Sequence, residues 1–339
     1  MSASGTGAGS ASDEGRSSRR VPGESVRGGR TGGNGEPCAP DRSEGRCSRR
    51  SLVRAAAALA IGRETAHAAG APLRLGIILG ISPDPDAAIR RVHELGFPTC
   101  QVSPGELNAA TAAKLRKALD RYGVEATSAV AGGPGPEEYD FYRGPATIGL
   151  VPREYRQARI ARIQEVSEFA RQAGIPAVQT HCGFIPEDPN NPLYREAVEA
   201  IRTVAQYCKK NGQNFRCETG QETPITLLRA IRDVDMDNLG VNFDVANLIL
   251  YGKADPVEAV DVLGPYVQGV HAKDGLYPTD PRNLGKEVPI GQGKVNFPVV
   301  IGKLKKIGYR NPLTIEREIA GERQTADILA SKAYLEKLL

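Results

Sequence analysis

The chain has 339 residues, 40% of them apolar and 25% charged, with no tryptophan. That balance fits a globular protein with room for one large domain or two ordinary ones, and no run of about 18 uninterrupted apolar residues is present to span a membrane. Of 44 Lys and Arg and 40 Asp and Glu, 11 and 7 fall in residues 1–70, so residues 71–339 carry 33 of each sign and no basic footprint for nucleic acid.

Residues 1–46 are rich in Gly, Ser, Arg and Glu and poor in large apolar side chains. Such a segment cannot bury enough surface to offset its chain entropy, and a disordered tail is expected. Residues 47–71 resemble a twin-arginine export signal: Arg49-Arg50 and Leu52, then the apolar run Ala55–Ile61, with Ala66-His67-Ala68 as a small-x-small cleavage site. Arg63 and Glu64 interrupt that pattern. Export to the periplasm is the expectation, with a basic tail on a cytoplasmic protein as the alternative. The six cysteines do not make a disulfide framework in a chain this long. Cys38 and Cys47 lie in the tail, Cys100, Cys182 and Cys217 at expected strand ends, and Cys208 on an expected helix; free, buried thiols are expected.

From residue 72 the pattern alternates. Strands are predicted at 73–81, 99–103, 124–130, 176–183, 214–220, 239–244, 267–274 and 312–318. Helices are predicted at 86–95, 109–121, 153–172, 193–210, 223–233, 256–263, 298–307 and 323–338. A Gly- and Pro-rich loop fills 131–152, and Gly291-Gln292-Gly293 reads as a loop before the seventh helix, not as a phosphate loop. Eight strands and eight helices in alternation over residues 72–339 predict a single (β/α)8 TIM barrel, an α/β fold whose active site lies at the C-terminal ends of the strands.

Four strands end in chemistry-bearing residues: Glu218 in FRCETG, Asp244 in LGVNFD, His271 in VQGVHAKDG and Glu316 in PLTIERE. One imidazole and three carboxylates on neighbouring strands form a mixed N/O donor set for one divalent ion, manganese, magnesium or cobalt, with zinc also compatible. Cys217 precedes Glu218, so its side chain should point away from the site. Glu318 shares a strand face with Glu316 and is the alternative fourth ligand.

In CETGQETP, NFDVANLILYG, VHAKDG, LGKEVPIGQGKVNFP and PLTIERE the chain resembles the xylose-isomerase-like barrel superfamily, the sugar phosphate isomerase/epimerase group, over residues 73–339. That resemblance implies one divalent metal held by Glu218, Asp244, His271 and Glu316, with Glu218 and Glu316 serving as base and acid. It implies an isomerase or epimerase of a small carbohydrate (a sugar, keto-sugar or cyclitol) that removes the proton α to a carbonyl. His181, Glu222, Asn247 and Lys273 are candidate substrate-binding residues. Each has a plainer reading: His181 as a structural histidine, Glu222 as a cap for the following helix, Lys273 as the ion-pair partner of Asp274. Asn247 stands where related epimerases often carry a substrate-binding histidine. His93, in a helical pattern, reads as structural.

The nearest competing activity is a metal-dependent dehydratase or lyase on a keto-sugar or keto-glycoside, which shares the first step. A multi-zinc nuclease is disfavoured by a total of four histidines. A non-catalytic sugar-binding barrel would not need the four-ligand set. A homo-oligomer is compatible with the sequence, and the aromatic content of 5% offers no evident stacking platform.

Overall fold

Residues 72–339 are described by the structure, a computed structural model. The expected tail over 1–46 and export segment over 47–71, with Cys38, Cys47 and His67, lie outside the described residues. The apolar runs become strands β1 (Leu75–Gly80), β2 (Thr99–Ser103), β3 (Glu125–Val130), β4 (Ala177–His181), β5 (Asn214–Glu218), β6 (Leu239–Asp244), β7 (Val267–Ala272), β8 (Asp274–Leu276), β9 (Lys286–Val288) and β10 (Leu313–Ile315). All but β8 and β9 are parallel and close into a barrel in the order β1-β10-β7-β6-β5-β4-β3-β2. β10 pairs with both β1 and β7, so the sheet has no free edge. The predicted (β/α)8 barrel is the observed fold.

The helices are α1 (Pro85–Glu94), α2 (Ala109–Tyr122), α3 (Gly144–Thr147), α4 (Arg153–Ala173), α5 (Pro192–Lys210), α6 (Pro224–Val234), α7 (Val245–Leu250), α8 (Pro256–Leu263), α9 (Phe297–Lys306) and α10 (Glu322–Leu335). Their starts follow local chemistry. Asp84, Asn108, Asn191, Asp255 and Asn296 accept hydrogen bonds from first-turn N–H groups that would otherwise be unpaired. Gly123 and Gly174 close α2 and α4 in the left-handed conformation. Among the described residues no helix is long and apolar enough to cross a membrane.

Outward-facing strand residues such as Val178, Phe215, Val241, Phe243 and Val270 pack beneath Ile163, Ile201 and Leu227 of the helices and form the apolar core. Cys217 lies on this outer face as expected, and the four described cysteines are free and buried. Facing inward, the barrel is polar. Gln101, Ser128, Gln179, Arg216 and Asn242 are all buried, where branched aliphatic side chains usually fill such an interior.

Strict alternation fails in three places. Asp244 ends β6 and at once caps α7, with no linker to announce a helix. α3 interrupts the predicted loop 131–152. β7 stops at Ala272, two residues short of the predicted end, because Asp274 leaves the barrel to start an antiparallel hairpin with β9. β10 is also shorter than predicted, ending at Ile315. The loop before α4 is held by the buried Arg159, whose guanidinium donates to the carbonyls of Pro134, Gly149 and Pro136 at 3.2, 2.7 and 2.9 Å. Gly149 takes a φ of +72°, and an added Cβ would come within 2.3 Å of the Cys182 backbone, so glycine is required there.

Candidate metal centre

Period-two alternation brings Glu218, Asp244 and His271 to the interior at the ends of β5, β6 and β7, and Glu316 joins them one residue past β10. One ligand atom from each lies within 4.8 Å of all the others. His271 Nδ1 faces the three carboxylates, 3.1 Å from Glu218 Oε1, 3.6 Å from Asp244 Oδ2 and 3.1 Å from Glu316 Oε2. Asp244 divides its work: Oδ1 accepts from the Asn247 N–H at 2.8 Å, while Oδ2 is buried and has no hydrogen-bonding partner among the described residues. A buried, unpartnered carboxylate oxygen beside two further carboxylates and an imidazole nitrogen is a donor set that fits a divalent cation. The cluster takes Glu316; Glu318 is displaced toward solvent and is not part of it.

Burial opposes charge on all these groups, so the direction of each shift shows which neighbours prevail. Burial pushes the Asp244 carboxyl up to about 6. Glu218 is buried too, yet His181 and His271 hold it below its ordinary value. Against the same burial, Lys273 and His271 hold Glu316 well below the carboxylate range. Burial likewise works against the charged forms of His271 and Lys273, but Glu316 with Glu218 raises the first and Glu316 with Asp244 the second, each well above its ordinary value. In the cation's absence a proton on His271 balances the carboxylates; a metal ligand must be neutral imidazole, so a divalent ion would displace that proton.

Lys273 does not pair with Asp274, contrary to the plainer expectation. Its buried ammonium donates to Glu318 Oε1 at 2.8 Å and to Asn247 Oδ1 and Glu316 Oε2 at 3.2 Å, which puts both Asn247 and Lys273 at the cluster. Asp274 turns to the opposite side because its chain has left the barrel. Its carboxylate accepts from the N–H groups of Gly275, Gly291, Gly293 and Val295 at 2.9 to 3.0 Å and so shapes the glycine loop before α9. Asp274→Ala strands these donors and is expected to cost about 3 kcal/mol, read as a lower melting temperature with metal affinity little changed.

His181, at the end of β4, points Nε2 at Glu218 Oε1, 3.8 Å away. The Gln221 amide sits 3.2 Å from its Nδ1, and Tyr139 packs against its ring edge-on at 5.8 Å. Phe141 and Phe184 meet the ring of Tyr251 at 6.5 and 5.8 Å. An aromatic wall therefore stands beside the site although composition gave no sign of one, since the loop after β3 contributes Tyr139 and Phe141, the loop after β4 Phe184, and the residue that closes α7 Tyr251. Glu222 does not cap α6. It is 1% exposed, and neither carboxylate oxygen has a hydrogen-bonding partner among the described residues. Burial pushes its pKa from 4.5 to about 8. The unfolded chain ionises above 4.5 while the folded protein keeps the proton, so this residue withdraws stability progressively between pH 4.5 and 8, up to about 5 kcal/mol. Glu222→Gln is expected to match the wild type in urea unfolding near pH 4.5 and to exceed it at pH 8.

The sequence reading missed the amides around His271. Gln101 Oε1 is 2.7 Å from His271 Nε2, and Gln179 Nε2 donates to the same oxygen at 2.9 Å. A polar residue on the inward parity of β2 and of β4 was the available signal. His93 lies on the exposed part of α1, away from the cluster, as expected.

A family model described as a xylose isomerase-like TIM barrel matches residues 89–338. A xylose isomerase domain protein from Planctomyces limnophilus is 35% identical, with 78% of this chain and 97% of that one covered and a TM-score of 0.74. A xylose isomerase-like TIM barrel protein from Mycobacterium smegmatis, solved in complex with magnesium, shares the fold at 21% identity and TM-score 0.57, covering 75% of this chain and 87% of that one. An uncharacterised protein of Methanocaldococcus jannaschii is 32% identical over 194 residues, 53% of this chain. The aligned stretches span 64% of that protein and 46% of an uncharacterised Escherichia coli relative. Solved structures of the same fold below 25% identity include epimerases and a dehydratase.

Proposed function

The chain belongs to the xylose isomerase-like TIM-barrel family, and from that premise we propose that it is a divalent-metal-dependent isomerase or epimerase of a sugar, keto-sugar or cyclitol. The observation that carries this reading is the placement of two carboxylates, Glu218 and Glu316, each 3.1 Å from the same imidazole nitrogen but supported by different neighbours. Glu218, Asp244, His271 and Glu316 would hold the ion. When bound, such a cation supplies Lewis acidity that stabilises negative charge developing on a substrate oxygen.

The residues of the chain divide the rest of the work. Glu218, held as a carboxylate, takes the proton α to the carbonyl, and His181 Nε2 steadies it. Glu316 faces the site from the other side as the partner acid and delivers a proton that it first takes from solvent, since Lys273 at 3.2 Å favours its carboxylate form. The rings of Tyr139, Phe141, Phe184 and Tyr251 exclude water from one side of the site. Lys273 already meets three oxygens, which leaves it little capacity for a phosphate and favours an unphosphorylated carbohydrate. Export through the segment carrying Arg49-Arg50 would fit such a substrate.

The test is incubation of Mn2+-loaded protein with free ketoses and keto-glycosides in D2O. Isomerisation or epimerisation introduces deuterium at the carbon α to the carbonyl, whereas the competing lyase releases water or an aglycone after the same exchange. Sugar binding without exchange across the panel would contradict both catalytic readings and favour a binding protein.

A further inference from the structure

The inward-facing amides of the barrel are buried, have no part in the chemistry above, and connect strands that are not neighbours. Gln101 on β2 reaches His271 on β7 and approaches Asn242 Oδ1 on β6 through its Nε2 at 3.5 Å. Because β2 pairs only with β1 and β3, these contacts cross the interior directly beneath the cluster. Gln179, Ser128, Asn242 and His271 are each 0% exposed and Gln101 is 1% exposed, so water is not available to replace a lost partner.

We propose that Gln101, oriented by Gln179 and Ser128, is a positioning residue that sets the tautomer of His271 and so keeps Nδ1 free to bind a divalent cation. Ser128 Oγ donates to Gln179 Oε1 at 2.7 Å, which turns the Gln179 NH2 group toward Gln101. That group donates to Gln101 Oε1 at 2.9 Å, so the atom Gln101 presents to His271 is an oxygen. An oxygen can only accept, and at 2.7 Å it takes the Nε2–H of the imidazole. The 3.2 Å between Gln179 Nε2 and His271 Nε2 is the third side of a triangle in which two N–H groups share one carbonyl oxygen. When the ring is neutral and Nε2 keeps the hydrogen, the lone pair of Nδ1 is aimed at the space among Glu218, Asp244 and Glu316. The reverse orientation of Gln101 would set an NH2 group against Nε2 and move the hydrogen to Nδ1, closing that position. Hydrogen bonds to the distal nitrogen of a ligating histidine commonly change metal affinity by about 10–100-fold.

The inference rests on the proposed metal reading, and the experiment separates the two. Mn2+ binding to the full chain is measured by titration calorimetry for the wild type, Gln101→Met and Gln101→Glu, with melting temperatures recorded alongside. Gln101→Met keeps the volume but has no oxygen, and its Kd is expected to rise about 10–100-fold. Gln101→Glu still accepts the Nε2–H and is expected to bind at least as tightly as the wild type. In 15N-histidine-labelled protein loaded with Mg2+, the wild-type Nε2 should give the signal of a protonated nitrogen and Nδ1 that of an unprotonated one.

If the wild type binds no Mn2+, the metal reading and this inference fall together. If the wild type binds but Gln101→Met binds equally well, or Gln101→Glu loses affinity as Gln101→Met does, Gln101 is only packing and the inference alone fails. Should Gln101→Met not fold, a Gln101→Glu protein that binds more weakly than the wild type, or a wild-type signal showing Nδ1 protonated in the Mg2+ form, overturns it.

Discussion

His271→Ala is expected to lower Mn2+ affinity by more than about 100-fold, since the loss of a direct ligand exceeds the effect of losing one of its supports. The same substitution removes the imidazolium that balances Glu218 and Glu316 in the metal-free protein. Two buried carboxylates and the partly buried Glu316 then face one another within 4.8 Å, and stability of the metal-free form should drop by about 3–5 kcal/mol near neutral pH. Acid should restore part of it. Asp244 already titrates near 6 because of burial, and a protonated carboxyl relieves the repulsion, so the deficit should shrink as pH falls below 6. Equilibrium dialysis and urea unfolding at two pH values read both effects. Unchanged affinity would mean that the ion, if any, sits elsewhere.

Lys273→Met should move metal affinity the other way. The ammonium lies 3.2 Å from Glu316 Oε2 and 3.7 Å from Asp244 Oδ2, where its charge competes with any cation bound by those oxygens. Its removal is expected to leave Mn2+ affinity equal or higher. Turnover should fall by about 100-fold or more, because Glu316 loses the charge that sets its proton affinity for both taking up and delivering a proton. The metal-free protein should lose about 3–5 kcal/mol, since a buried partner is left unpaired. As Lys273 is held charged far above neutrality and Glu316 far below it, this loss should vary little between pH 6 and 8. Opposite signs on metal affinity for His271→Ala and Lys273→Met would distinguish a ligand from a charge beside the ligands. Loss of affinity in both would place Lys273 in a structural role.

The barrel and the four strand ends were legible because both depend on local pattern. Short apolar runs punctuated by glycines predict strands, and alternation with a period of two carries Glu218, Asp244 and His271 to one face. Alternation alone could not separate Glu316 from Glu318, which share a face; the ladder ends at Ile315, Glu316 alone of the two places a ligand atom in the cluster, and Glu318 reaches Lys273 from the solvent side. It also could not assign Lys273 and Asp274. They are adjacent in sequence, but the chain leaves the barrel between them, and each finds partners far away. α7 was missed because one residue, Asp244, serves both as strand end and as helix cap. The Gln101–His271 contact spans 170 positions of sequence, and the aromatic wall draws its four rings from three separate segments of the chain. Neither has a signature within any single window. Glu222 was read as a substrate-binding candidate or, from its place before Thr223-Pro224, as a cap; burial withdraws it from the helix end.

Metal content of the purified wild-type protein, measured after exposure to Mn2+, Mg2+ or Co2+ and removal of the excess, decides whether Glu218, Asp244, His271 and Glu316 bind a divalent ion. About one equivalent of divalent ion per chain and a rise in melting temperature with ion concentration are expected. No bound ion and no stabilisation under saturating conditions would contradict metal binding, and Glu218, Asp244, His271 and Glu316 would then be a buried ion-pair network rather than the ligands of a metal.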